Sequence, residues 1–402
     1  MPGDLIYNSD RGVKAMKKLV INGKMYTKRG ILDNGNLLID EEGRIEAVGG
    51  PEVAAGCGEA SILDAQGMTV LPGFVDVHVH GGAGFHTMKG TYEDLNGMSR
   101  FHAAHGTTSF LATTNTDSKE TIVRALRNCA VSAERGLAGA DLLGIHLEGP
   151  YLSAARAGAQ NKSQLCAPNV EELQRFIDAS QGLIRLATLA PELDGGMEAV
   201  EMLSKAGITV SIGHSDATYA QVLDAIGRGA SQTTHHFNGM SPLHHREPGV
   251  AGAGLLCREL TTELIADGIH VHPAVVKLLF ETKGPDRVCM ITDAVSSAGL
   301  PDGDYGDRTM KDGQIWLKDG SSLAGSSLTM IAALKNALRF TGYPLERLLP
   351  SFTAVPARQA GVSHRKGALE AGKDADFLIL DEALSLVSTF VKGNEVYKAT
   401  NA

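Results

Sequence analysis

Residues 70–81 read VLPGFVDVHVHG, a run of apolar and β-branched residues that ends on two histidines two positions apart. The same texture returns as TTSFLAT (107–113), LLGIHL (142–147), LIRLATLA (183–190), ITVSIGH (208–214), ASQTTHH (230–236), TTELIAD (261–267) and VCMITD (288–293). Between most of these runs lie amphipathic segments of helical period, such as SKETIVRALRNCAVSAERG (118–136) and NVEELQRFIDASQG (169–182). Eight strands alternating with helices over about 230 residues fit a (β/α)8 TIM barrel of the α/β class. The alternative is a doubly wound open sheet. That fold carries a Gly-rich phosphate loop after its first strand, and GGAGF (81–85) matches it poorly.

A barrel places its chemistry at the C-terminal ends of its strands. Polar residues gather at those ends here: His78 and His80, Glu148, His214, His235, Asp267 with His270, and Asp293. Residues i and i+2 of a strand share a face, so His78 and His80 can turn to one metal, although two barrel-lining histidines would look the same. Glu148, in HLEGP, is a carboxylate in an apolar run and is costly to bury unless paired or metal-bound. His214 and His235 add imidazoles, and that donor set suits a divalent first-row metal such as Zn, Fe, Mn or Co. His236 points the other way in a strand and reads as packing. Asp293, in MITDA, is the candidate general base, or a further ligand. For a substrate, Asn238 and Gly239 lie just past the sixth strand, and the guanidinium of Arg246 in HHREPG suits a phosphate. His244 and His245 read as surface residues. LAGSSLTM (323–330) precedes a helix and offers backbone amides to a polar ligand.

The chain's two ends read differently. KLVINGKMY (18–26), GNLLIDEEGRIEAVG (35–49) and DADFLILDEALSLVSTFVKGNEVYK (374–398) are strands punctuated by turn residues. They predict a small β-sandwich domain built from 16–70 and 365–402, beside a barrel over 71–364. Residues 1–15 read as an N-terminal extension with no assigned role. A formal net charge of −9 gives no basic footprint for nucleic acid. The five scattered cysteines form no CxxC pair and read as reduced thiols, which points to the cytoplasm. No apolar run reaches membrane-spanning length.

In order along the chain, PGFVDVHVHG, GTTSFLAT, LEGPYL, IGHSDAT, THHFNGMSPLHHREPG, DGIHVHP, ITDA, LAGSSLTM and KGALEAGKDADFLILD resemble the N-acetylglucosamine-6-phosphate deacetylases of the amidohydrolase superfamily. The LEGP, HxFNxM and REPG segments are specific to that family, whereas HxH and DADF occur across the superfamily. The resemblance implies hydrolysis of the acetamide of N-acetyl-D-glucosamine 6-phosphate, with the galacto epimer or another amide as alternatives. It implies that Glu148, His214 and His235 hold the main metal, that His78 and His80 allow a second, and that Asp293 is the acid/base. Ala159, Gln160, Asn238, Gly239, Arg246, Asp267, His270, Leu323, Ala324 and Gly325 would contact the amino-sugar phosphate. Arg246 would reach the neighbouring subunit's site, so a homodimer or higher homo-oligomer is implied. Relatives commonly carry a histidine where this chain has Gln160, which can donate a hydrogen bond but cannot carry charge. A cyclic-amide hydrolase would use a modified lysine where this chain has Glu148, and a non-catalytic scaffold would have lost ligands that are present.

Overall fold

The computed structural model describes residues 16–400, so the extension expected over 1–15 lies outside the described residues. Eight parallel strands follow one another around a single sheet: β1 (Phe74–Val79), β2 (Thr107–Thr113), β3 (Asp141–Glu148), β4 (Ile184–Leu189), β5 (Thr209–Ile212), β6 (Ala230–Thr233), β7 (Thr261–Leu264) and β8 (Val288–Met290). Helices between them cover the outside, as the alternating pattern predicts. Helix Lys119–Arg135 shows why. Ser118 caps it by accepting the Thr121 N–H, Gly136 ends it at φ +79°, and Ile122, Ala125, Leu126 and Cys129 form its buried stripe.

The barrel closes where β1 meets the chain just past β8. Val79 pairs with Ala294, the Asp293 N–H donates to the His78 carbonyl at 2.9 Å, and the His80 N–H donates to the Ala294 carbonyl at 2.9 Å. The buried Asp76 carboxylate adds a bond from Thr292 Oγ1 at 2.6 Å.

The stretch VLPGFVDVHV is not one strand. Thr69–Pro72 leaves the barrel and pairs with Phe377–Leu380 in the second large sheet, while Phe74 begins β1. Gly73 makes the corner, because a Cβ there would meet Thr108 Oγ1 at 2.2 Å. That second sheet joins strands from both ends of the chain, with Lys17–Thr27 at its centre. Its apolar residues, among them Met25, Leu37, Val70, Phe377 and Phe390, form a core of their own. Lys366, 1% exposed, ties this sheet to the barrel: its Nζ lies 2.6 Å from Asp376, 2.9 Å from Asp374 and 3.1 Å from Asp141.

A three-stranded flap stands between β8 and helix Met330–Thr341: Gly303–Tyr305, Arg308–Lys311 and Gln314–Leu317. Its second turn is Asp312-Gly313, both at positive φ, the form that a two-residue hairpin favours. Among the described residues, no helix is long and apolar enough to cross a membrane.

Candidate active site

The strand-end residues converge at the C-terminal mouth of the barrel. His80, Glu148, Ala159, Gln160, His214, His235, Asn238, Gly239, His270, Asp293, Leu323, Ala324 and Gly325 line one cavity of about 270 Å³. Three of them stand just beyond their strands at positive φ: His214 (46°), His235 (27°) and Asp293 (51°). A non-glycine residue held there costs of order 1–3 kcal/mol and needs its surroundings to fix it. The surroundings do so here. The His214 carbonyl accepts the Ser153 N–H, the His235 N–H donates to Glu263 Oε2, and Asp293 is held at the barrel seam.

The imidazoles are turned by their outer nitrogens. Nδ1–H of His214 donates to the Arg156 carbonyl at 2.8 Å, and Nδ1–H of His235 to the Asn238 carbonyl at 3.1 Å. A carbonyl only accepts, so the protons sit on Nδ1 and the Nε2 lone pairs face inward. They stand 3.1 Å apart, each 3.3 Å from Glu148 Oε1. That oxygen is buried and has no hydrogen-bond partner. His78 repeats the device. Its Nδ1 lies 3.0 Å from Glu263 Oε2, and its Nε2 lies 3.2 Å from His80 Nε2 and 3.6 Å from Asp293 Oδ1. His80 Nε2 is 3.3 Å from both Glu148 Oε2 and Asp293 Oδ1.

Two donor clusters therefore meet at Glu148: Glu148, His214 and His235 on one side, and His78, His80 and Asp293 on the other. Lone pairs turned on one another around an orphaned carboxylate oxygen fit a divalent cation. A third grouping, His78, His146 and Glu263, does not. Both ring nitrogens of His146 are bonded, to the Val77 carbonyl and to Thr188 Oγ1, and His78 gives Glu263 its Nδ1 side.

Electrostatics follow the same lines. Burial opposes charge on His78, but Glu263, Glu148 and Asp293 outweigh it and hold its pKa well above the ordinary imidazole value. His80 is raised too, against burial, by Asp293 and Glu148. Burial alone would raise Asp293, yet His78 and His80 bring it down to about 2, so it is ionised at neutral pH.

Gln160 is held at both ends. Its Oε1 accepts the Thr116 N–H at 2.9 Å, and its Nε2 donates to Glu148 Oε2 at 2.8 Å. Gly239 needs both its positive φ of 56° and its lack of a side chain, since a Cβ would stand 3.0 Å from His214 Nδ1. Asp267 lies behind His270 and takes its Nδ1–H at 2.6 Å, which turns the other face of His270 into the cavity.

Arg246, expected to serve a neighbouring subunit's site, is not in the cavity of its own chain: it is exposed on the 241–248 loop, with Nη1 on His245 Nε2 at 2.8 Å. His244 and His245 are exposed beside it. In LAGSSLTM the amides do not all await a ligand. Ala324 N–H donates to the Ile315 carbonyl and Ser326 N–H to the Asp293 carbonyl, both at 2.9 Å. That segment shapes the wall, with Gly325 at φ +73° where a Cβ would meet Val295 Cγ1 at 2.3 Å. His236 is buried away from the clusters, with Nδ1 on Thr233 Oγ1.

Among the residues that went unread in the sequence are Glu263, Arg308 and Trp316. Glu263 is fully buried and joins His78, the His235 amide and Gln232 Nε2, the last at 2.6 Å. A carboxylate inside the apolar run TTELIAD is the signal that flagged Glu148, and it applied here as well. Arg308 and Trp316 line the cavity from the flap. The turn pair Asp312-Gly313 could have revealed that flap.

Residues 69–396 match the model of the amidohydrolase family. The chain is 38% identical over 391 residues to an N-acetylglucosamine-6-phosphate deacetylase of Vibrio furnissii, covering 95% of this chain and 94% of that one. It is 36% identical over 373 residues to an N-acetylgalactosamine-6-phosphate deacetylase of Escherichia coli O157:H7, covering 92% and 97%. Among solved structures, a mutant of the N-acetyl-D-glucosamine-6-phosphate deacetylase of Mycobacterium smegmatis, in complex with N-acetyl-D-glucosamine-6-phosphate, superposes with a TM-score of 0.88 at 34% identity, over 95% of this chain and all of that one.

Proposed function

The chain belongs to the amidohydrolase family, and from that premise we propose that it hydrolyses N-acetyl-D-glucosamine 6-phosphate to D-glucosamine 6-phosphate and acetate. The observation that carries this is the pair of clusters meeting at Glu148, set in a cavity that Asn238, Gly239 and His270 also line. Glu148, His214 and His235 would hold the main divalent metal, and His78 and His80, with Asp293 beside them, a second. Zinc, iron, manganese and cobalt all suit these donors. Such a cation, when bound, supplies Lewis-acid chemistry, acidifying water and polarising a carbonyl.

The remaining steps fall to the chain's own groups. Asp293 turns Oδ1 to the two imidazoles, which leaves Oδ2 to take the proton of the attacking water and pass it to the leaving amine nitrogen. Gln160 keeps one N–H beyond the one given to Glu148, and that proton can be donated to the acetyl oxygen as charge develops there. At the other end of the substrate, Asn238 and the Gly239 backbone would receive the phosphate with His270, whose pKa Asp267 raises against burial. Arg246 would complete that pocket from a neighbouring subunit, so the working unit is a homodimer or larger. We place the enzyme in the cytoplasm, where its five unpaired cysteines would stay reduced. The division into barrel (71–364) and terminal sheet domain (16–70 with 365–402) belongs to the same reading.

The test is acetate release by metal-loaded protein from N-acetylglucosamine 6-phosphate, its galacto epimer and the unphosphorylated sugar. Phosphate-dependent release, fastest with the gluco compound, supports the reading. Faster turnover of the galacto epimer would reassign the substrate. Silence with all three would move the activity to a different amide.

A further inference from the structure

Among the cavity-lining side chains with no part in the chemistry above, Arg308 and Trp316 come from the flap. Arg308 is a cation with only 16% of its side chain exposed. Among the described residues its carboxylate neighbour is Asp307, 3.7 Å away and itself 77% exposed, a weak partner. Its other bond is a long one, Nη1 to the Ala324 carbonyl at 3.4 Å. A guanidinium has five N–H donors, and a half-buried one needs acceptors to offset its desolvation.

Trp316 is the chain's single tryptophan. It is 39% exposed and lines the same cavity. Its indole N–H goes to Gln314 Oε1 at 3.3 Å, which leaves the ring face to serve the cavity. Neither residue is loosely placed. Trp316 pairs with Leu323, the Leu317 N–H donates to the Ser322 carbonyl at 3.0 Å, and Met310 and Ile315 pack with Val295 and Ala324 in a small core. Arg308 shares the strand face of Met310 and lies deeper, whereas Trp316 is on the other face and nearer the rim.

We propose that the flap is the sugar-recognition element of the cavity, with Trp316 a platform for the apolar face of the amino-sugar ring and Arg308 a donor to its hydroxyl oxygens. The inference rests on the amino-sugar phosphate reading above and extends it to which residues grip the ring. An aromatic face is complementary to the C–H face of a sugar, and a guanidinium supplies directed donors to oxygens that accept.

The experiment uses metal-loaded, full-length protein and two readouts. Because Trp316 is the only tryptophan, titration with glucosamine 6-phosphate should shift its emission saturably. In acetate-release kinetics on N-acetylglucosamine 6-phosphate, Trp316→Ala and Arg308→Ala should each raise KM about 10-fold, the equivalent of one good contact, with kcat within about 2-fold. Trp316→Phe should restore most of the loss, and Arg308→Lys part of it. Unshifted emission, or unchanged KM in both alanine variants while the unmutated protein turns over normally, overturns this proposal alone. No acetate release by the unmutated protein overturns the parent reading, and this one with it.

Discussion

Nε2 of Gln160 stands 2.8 Å from Oε2 of Glu148, while the other end of the same carboxamide is fixed by the Thr116 amide. The contact orients the one carboxylate that both donor clusters share. Gln160→Ala should therefore lower kcat/KM by about 10–100-fold, the usual cost of removing a group that orients a ligand. Steady-state kinetics and metal content measured together would check it. Wild-type values for both would show that Glu148 orients itself.

Glu263 sits behind His78 as Gln160 sits beside Glu148. Glu263→Gln keeps the volume and removes the charge that holds Nδ1–H of His78. Metal content by elemental analysis should fall at the His78–His80 cluster and persist at Glu148, His214 and His235. An unchanged metal-to-protein ratio at limiting metal would refute the role.

Cation binding should release protons. The carboxylates around His78 and His80 raise both pKa values and so favour their protonated forms, yet a metal ligand must be a neutral imidazole. The sign follows: raising the pH removes the competing protons, so apparent affinity rises from pH 6 to pH 8. Calorimetry in buffers of different ionisation enthalpy would count the protons, and a pH-independent affinity would contradict the account.

Much of this site was legible because a barrel turns sequence order into spatial convergence. Once the strands were counted, His78, Glu148, His214, His235 and Asp293 had to meet at one mouth. What the strand count misplaced is local. His214, His235 and Asp293 lie past their strands at positive φ, which a pattern of apolar residues does not encode. Pro72 and Phe74 lie in one apolar run but in two sheets, and between them Gly73 fits against Thr108 only because it has no Cβ. Arg246 is a different case: its own sequence neighbourhood gives its chemistry, and only the family resemblance directs it to a neighbouring subunit's site.

The Lys366 network predicts a stability cost. Burial would raise Asp141, but Lys366, Lys392 and Arg365 hold it at about 2. A depressed carboxylate contributes stability that is complete above its unfolded value near 4 and is lost as pH falls through about 2. Lys366→Met should cost about 3–5 kcal/mol, because it strands buried carboxylates. It should also move the acid unfolding transition of Asp141 to higher pH. Thermal melts across pH 2–7 would show both, and an unshifted midpoint would sink the idea.

Asp293→Asn should abolish turnover while Glu148, His214 and His235 still hold metal. If Arg246 serves a neighbour, mixing Asp293→Asn subunits with Arg246→Ala subunits creates hybrids holding one intact cavity. Recovered activity on mixing two inactive variants would establish the shared site, and none would confine each cavity to its own chain.

The barrel's seam has a consequence for how the protein fails. Its last strand is joined to its first by the backbones of His78, His80, Asp293 and Ala294, with Asp76 clasping Thr292 behind them. The stitches that finish the cylinder are thus made by the main chain of the same residues whose side chains, His78, His80 and Asp293, form one donor cluster. Prising the seam apart by a few ångströms would scatter those groups while all eight strands kept their seven remaining pairings and their helices. Mild denaturant should silence the enzyme before its circular dichroism changes, and dilution should revive it without refolding the rest.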